Sequence, residues 1–148
     1  MGVQTSAGTV IAVSAGSPAT YDSTGFGALT WTDISEIVNV GEFGKSFNLV
    51  THNPIDNRRT VKKKGSYNNG QVPLQLGQDL TDAGQALLET ASDSDADYAF
   101  KVTLQNGAIR YFVAQVMGFT DNVGGVDQIF GATCNLEITN DVVRVAAP

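Results

Sequence analysis

The chain contains one cysteine and one histidine. A single cysteine excludes an intrachain disulfide framework and a cysteine-ligated zinc site. A single histidine, His52, excludes every motif that needs a histidine pair, HExxH among them. Proline is scarce at 4 residues while glycine is plentiful at 16, a balance that suits many turns rather than a stiff linker. No apolar run approaches the roughly 18 residues of a membrane span. Met1-Gly2-Val3-Gln4-Thr5 has neither a basic nor an apolar targeting region, so no signal peptide is expected. The P-loop pattern and the nucleophile elbow GxSxG are both missing from the sequence. With 148 residues, 42% of them hydrophobic, the chain suits one domain with a core of its own, spanning 1–148.

Groups that carry chemistry elsewhere fit poorly here. Asp93-x-Asp95-x-Asp97 resembles the start of a calcium loop, but Tyr98 stands where the loop needs glycine and Leu104 where it needs glutamate. It reads better as an acidic helix exit. Cys134 alternates with Leu136 and Ile138, as a small core residue would. A nucleophilic role would need His52 beside it and a third group to orient the histidine. Gly25-Phe26-Gly27 is a lone GxG with no helix expected after it. Trp31 lies in the alternating run Thr30-Trp31-Thr32 and reads as a core or interface anchor before a sugar-stacking platform. No catalytic set, metal site or cofactor site is expected.

Charge is abundant but unevenly placed. The net charge is −6. From His52 to Gly70, five bases (Arg58, Arg59, Lys62, Lys63 and Lys64) face one acid, Asp56, giving +4. The four bases and fourteen acids elsewhere carry −10. An acidic body repels phosphate backbones and does not bind nucleic acid as a general surface. The basic insert admits three readings. It pairs with an acidic face of another copy, or it is a solvated loop, or it is a nucleic-acid patch. Tyr67 is the only aromatic near these bases; a stacking surface usually interleaves several, so self-assembly ranks first and nucleic acid last.

Period-two alternation bounded by Gly, Asn and Asp marks strands. Strands are expected at Thr9–Ser14, Ser35–Val40, Lys45–Thr51 and Gln71–Gly77. Pro73 predicts an edge or a bulge in the last of these. The segment 99–117 predicts a hairpin whose Asn106-Gly107 forms a type I′ turn. Its return strand, Ile109–Met117, is apolar on both faces: Ile109, Tyr111, Val113 and Met117 on one, Phe112, Ala114 and Val116 on the other. Such a strand belongs between the core and a second layer or subunit. Phe119–Asp127 reads as a flexible connection and Gln128–Val145 as one long strand with Cys134, Leu136 and Ile138 inward. One helix is expected at Asp82–Ser92, capped by Thr81, with Ala83, Ala86, Leu87 and Thr90 as its buried stripe. His52–Gly70 reads as a long loop between strands. Residues 1–8 and 146–148 read as terminal arms. The fold class expected is mostly β: a β-sandwich or partial barrel with one flanking α-helix and a long inter-strand loop.

This order of features resembles the tail tube proteins (major tail proteins) of long-tailed bacteriophages, the siphophages. A Gly/Ser/Thr-rich arm leads into short strands, and a polar loop, His52–Gly70, follows. Val72-Pro73-Leu74-Gln75-Leu76 then leads into a single helix, and the 100–117 hairpin precedes a strand with Ala132-Thr133-Cys134-Asn135-Leu136-Glu137-Ile138-Thr139. The resemblance implies a structural virion protein without enzymatic activity. Its hexameric rings would stack into a tube that carries DNA during genome ejection. It implies an acidic lumen through which DNA passes without specific binding. The partners implied are other copies, then the tape measure, terminator and distal tail proteins. The location implied is the virion tail tube, after synthesis in the host cytoplasm. Carried onto this chain, Arg58, Arg59, Lys62, Lys63, Lys64 and Tyr67 would lie at the contact between rings. Related tubes occur in contractile tails, and other virion β-proteins share this composition. Two rival readings stand beside it. One is a β-sandwich adhesin or carbohydrate-binding module with Trp31 and Tyr67 as platforms. The other is a small hydrolase using Cys134 or a carboxylate pair.

Overall fold

The computed structural model describes residues 3–146. Residues 1, 2, 147 and 148, the outermost parts of the two expected arms, lie outside the described residues. The elements run β1 (Val10–Ser14), α1 (Ser23–Gly27), β2 (Thr32–Ile34), β3 (Ile37–Asn39), β4 (Ser46–His52), β5 (Val61–Asn68), β6 (Gln71–Gly77), α2 (Ala83–Ser92), β7 (Tyr98–Thr103), β8 (Ile109–Asn122), β9 (Gly131–Ile138) and β10 (Val143–Val145). One antiparallel sheet follows the order β2-β1-β7-β8-β9-β6-β3, with β10 added beside β8. The β4–β5 pair forms a separate two-stranded sheet.

Alternation builds the core. On β6, Val72, Leu74 and Leu76 point inward, and on the neighbouring β9 Leu136, Cys134 and Ala132 sit opposite them. The intervening Gln71, Gln75, Thr133, Asn135 and Glu137 point the other way. The sheet curls, so that β3 faces Val102 of β7 and the following Leu104 across a cleft, and Phe43 approaches Phe112 with ring centroids 5.5 Å apart. The mostly-β expectation therefore takes the form of one continuous curled sheet, the partial barrel, with α2 packed against β1, β2 and β8. Leu88 and Ala91 of α2 are fully buried in this core.

β8 has a second layer on its other face. Phe26 of α1 stacks on Tyr111 at 4.9 Å. Tyr21, Leu29, Trp31, Val143 and Val145 complete the cover over Ile109, Tyr111 and Val113. The strand expected to be buried on both sides is thus enclosed by the chain's own 21–31 segment and β10. Past Val116 the ladder shifts, so that Gly118 rather than Met117 faces Asn135. Met117 is the extra residue of a β-bulge. The bulge resets the alternation and turns Phe119 toward the core opposite Cys134.

Several expectations need correction. The helix is capped by Asp82, whose carboxylate accepts from the Gln85 backbone N–H at 3.0 Å, and not by Thr81. Its buried residues are Gly84, Gln85, Leu88 and Ala91 rather than Ala83, Ala86, Leu87 and Thr90. Two contacts rotate it. A Cβ on Gly84 would collide with the Asp33 carbonyl oxygen. The Gln85 amide is buried with all its groups used: it donates to the Ser35 and Gly77 carbonyls at 3.0 Å each and accepts from Asp79 N–H at 2.9 Å. Gly25-Phe26-Gly27 is part of a one-turn helix, capped by Asp22. Its carboxyl is held below the usual range by the Gly25 N–H and the Thr20 hydroxyl. Only Gly107 has positive φ in the 105–107 turn, at 94°, so the turn is not type I′. Leu104 accepts from Gly107 N–H and donates to the Ala108 carbonyl, the pattern of a three-residue loop with glycine in the left-handed position. β8 continues through Phe119–Asn122 because β9 supplies a partner along its whole length. The expected 128–145 strand is divided by the Asn140-Asp141 turn into β9 and β10. Pro73 is not on a sheet-edge strand, but β3 stops opposite Gln75, so the proline lies past the end of that ladder.

Two predictions follow from the core. Leu88→Ala removes a fully buried side chain from the helix–sheet contact and is expected to cost about 2–5 kcal/mol in urea unfolding. Burial pushes the Cys134 thiol up to about 12. The native chain should then leave a thiol reagent unreacted at pH 8, with one equivalent consumed once denaturant is added.

Candidate functional site: a projecting hairpin and a polar sheet face

Nearly half of the segment expected as a nineteen-residue loop is strand. Residues 61–68 pair with β4, leaving a turn of residues 53–60. The pattern was hidden because bases occupy successive positions: Lys62, Lys63 and Lys64 face both sides of a ribbon that has no dry face. Phe47, Leu49 and Thr51 share one side with Tyr67, Lys64 and Lys62, while Val50 and His52 share the other with Lys63 and Val61. A bulge places both Gly65 and Ser66 against Asn48. A Cβ on Gly65 would lie 2.8 Å from Val50 Cγ2, so a larger residue there would push the exposed Val50 side chain aside. Arg58 and Arg59 sit in the turn, where Arg59 N–H donates to Asn57 Oδ1 at 2.8 Å. All five bases are exposed.

The hairpin exposes apolar groups together with its charge. Leu49 is 65% exposed, and Phe47, Val50 and Ile55 are exposed as well. The lysines lie over aromatic rings where they can. Lys64 Nζ is 4.9 Å from the Phe47 ring centroid and Lys45 Nζ is 4.8 Å from that of Tyr67. Such contacts contribute about 0.5–1 kcal/mol at exposed sites. A two-stranded ribbon is at best marginal in water by itself.

Its root is tied down at one residue. Tyr67 Oη donates to Asp141 Oδ1 at 3.1 Å and Asn69 Nδ2 donates to the same oxygen at 3.3 Å. Tyr21 Oη donates to the Asp141 carbonyl at 2.6 Å. Burial, with a smaller contribution from the Asp141 carboxylate, pushes the Tyr21 phenol up to about 12 against the backbone N–H of Val113. The hairpin, the 21–31 layer and the turn before β10 therefore meet at Asp141.

The second feature is the sheet face turned away from the core. Gln71, Gln75, Gln115, Thr133, Asn135 and Glu137 lie on it, in cross-strand rows such as Gln71–Glu137–Gln115. Glu137 is the one charged group of these six, and Pro73, between Gln71 and Gln75 on β6, is an apolar residue on the same face. Both lateral edges of this part are open. Among the described residues no strand pairs with β8 beyond Ala114 on the β7 side, and β3 ends the sheet on the other.

The remaining candidates are dispersed. Cys134 is fully buried while His52 is exposed on the hairpin, so they do not form a nucleophile–base pair. Trp31 is packed 5.9 Å from Tyr111 with its indole N–H donating to the Phe26 carbonyl at 3.1 Å. Asp93, Asp95 and Asp97 lie in the exit from α2. Among the described residues there is no group of three His, Cys, Asp or Glu placed to hold a metal ion. The sequence missed the Asp141 anchor and the open edges. The anchor joins residues more than seventy apart in the chain.

Asp141→Ala should leave the body folded and loosen the ribbon. In hydrogen exchange, the β4 and β5 amides are expected to lose protection about tenfold or more while β6 and β9 are unchanged, consistent with the loss of hydrogen bonds to a charged group.

The family model described as phage tail tube protein, TTP, matches residues 1–147. No curated protein matches by sequence. Solved structures do match by fold. A chain of the anti-feeding prophage (AFP) baseplate, 6-fold symmetrised, has a TM-score of 0.67 at 10% identity, covering 94% of this chain and 93% of that one. The PVC sheath/tube terminator of an extracellular contractile injection system, in its extended state, has a TM-score of 0.64 at 12% identity, covering 93% of each chain. The SPP1 tail tube has a TM-score of 0.62 at 12% identity, covering 93% of this chain and 76% of that one.

Proposed function

The chain belongs to the phage tail tube protein family, and from that premise we propose that its copies close into rings, six to a ring, which stack into a DNA-conducting tube. It is a structural component of the virion and not an enzyme. The observation that carries the ring is the sheet β3-β6-β9-β8, open at both lateral edges and polar on its outward face. An open edge is a template for pairing with another chain. Joining the bare side of β8 to the β3 edge of the next copy would extend the sheet from subunit to subunit. Because the two edges differ, the contact is heterologous, and such contacts propagate until rotation closes them into a ring. The 6-fold symmetry of the anti-feeding prophage baseplate supports six as the number.

In such a ring the outward face would line the bore. Amides and hydroxyls with one carboxylate, Glu137, give a wall that wets easily and holds no cation for a phosphate to pair with. Passing DNA would meet weak repulsion and no site at which to stop. The projecting hairpin would reach an adjacent ring, with Arg58, Arg59, Lys62, Lys63 and Lys64 as stacking contacts and Tyr67 fixing its root. The ends of the tube would meet tape measure, terminator and distal tail proteins. The tail would be a siphophage's, delivering its genome through this bore after assembly in the host cytoplasm; the SPP1 tail tube shares the fold, as do chains of contractile systems.

Negative-stain electron microscopy of the purified chain over a concentration series is expected to show hollow rings or tubes. Val38→Lys places a charge on the exposed β3 edge. It should change unfolding stability by no more than about 0.5 kcal/mol and abolish ring closure. Particles that stay monomeric at every concentration, or rings unaffected by Val38→Lys, overturn the edge-joined ring.

A further inference from the structure

On the stacking reading above, we infer that the hairpin of one copy docks on the opposite end of the next copy, on the connection 123–130 between β8 and β9 together with Leu80 beside it. The hairpin joins the sheet at the Gln71 end of β6. The connection lies at the Gly77 end, where Gly77 pairs with Gly131 and Gln78 N–H donates to the Phe130 carbonyl at 2.8 Å. Seven residues of strand, about 20 Å, separate the two ends. A subunit stacked along the strand direction therefore presents one end to the other.

The two ends match in kind. The connection is apolar where a solvated loop would be polar: Val126 is 99% exposed and Ile129 84%, with Leu80 at 85% beside them. Clustered exposed apolar groups of this kind mark contact surfaces. The hairpin brings Leu49, Val50 and Ile55, also exposed. The charges are opposite. Asp127 lies in the connection, Asp121 is near the end of the strand before it and meets Gln78, and Glu36 and Asp79 flank the Gly77–Gln78 pair that joins Phe130. No lysine or arginine occurs in residues 65–100 or 111–143. Lys45, Arg58, Arg59 and Lys62–Lys64 are six of the chain's nine bases, all on or beside the hairpin. The base-free far end attracts the basic hairpin and offers it apolar groups, whereas two hairpins repel each other. A second copy fits this surface better than nucleic acid, which would use the bases and leave Leu49, Val50 and Ile55 in water.

Two charge reversals test the pairing: K62E/K63E/K64E on the hairpin and D121K/D127K at the far end. Light scattering and negative-stain images report stacking, ring size reports lateral assembly, and thermal melting reports folding. Each reversal alone is expected to leave rings intact and raise the critical concentration for stacking at least about tenfold. Both together in one chain should recover most of that loss. The Asp121 carboxylate meets the Gln78 side-chain amide, so D127K alone replaces the pair if melting shows that D121K disturbs the strand end. If the far-end reversal stacks like the native chain while the hairpin reversal does not, the receiving surface is elsewhere or the hairpin serves nucleic acid. The pairing is then wrong, but the stacked-ring reading stands. If neither reversal changes stacking, the hairpin does not mediate it. If the native chain makes neither rings nor stacks, both readings fall together.

Discussion

The architecture depends on β8, whose two halves solve different problems. Its first half is paired by β7 on one side and β10 on the other, and buried by the core on one face and by the Phe26–Trp31 layer on the other. That half is a fixed anchor. Its second half pairs with β9 alone, leaving one line of backbone groups bare. The bulge at Met117 separates the two regimes. By adding a residue it keeps Phe119 turned to the core while the strand leaves the shelter of the second layer. Stability and availability thus occupy one strand without competing for the same residues.

Where one face is buried, the fold could be read from the residues. Val72/Leu74/Leu76 and Cys134/Leu136/Ile138 declare their strands because burial enforces alternation. The doubly apolar run Ile109–Met117 declared a second layer, which the chain supplies itself over Ile109, Tyr111 and Val113 but not over the exposed Met117. Failures occur where that pressure is absent or where a single contact decides. β5 has no buried side, so its lysine run carries no period. The helix face is displaced because Gly84 must approach the Asp33 carbonyl and Gln85 must bridge two carbonyls. Apolar count alone does not reveal either contact. At the candidate site the bases were legible as a set. Their support on a ribbon rooted at Asp141 was not, since it depends on contacts distant in sequence.

Charge is arranged along the molecule rather than over it. Six of the nine bases gather on or beside the hairpin, the opposite end carries Asp79, Asp121 and Asp127 with no base, and the face between them is almost neutral. Each zone has a different physical consequence: long-range attraction at one pole, its complement at the other, and hydrogen bonding without net field between. Mixed-sign surfaces that serve only solubility intersperse their charges. Segregation on this scale gives the molecule a direction, and in a homopolymer direction is inherited by the whole filament.

The hairpin's weak autonomy bears on timing. Two strands held at their root, with apolar groups in water, lose conformational freedom when they dock. A lone pair of subunits must meet that entropy with a single contact. A closed ring offers all its hairpins together, and once one has engaged the others act at high effective concentration. In a tube joined this way, initiation is slow and extension fast. Free subunits would then persist as a reservoir until a prearranged ring appeared. Tube length is then governed by where and when such a ring is supplied rather than by how much subunit the cell contains.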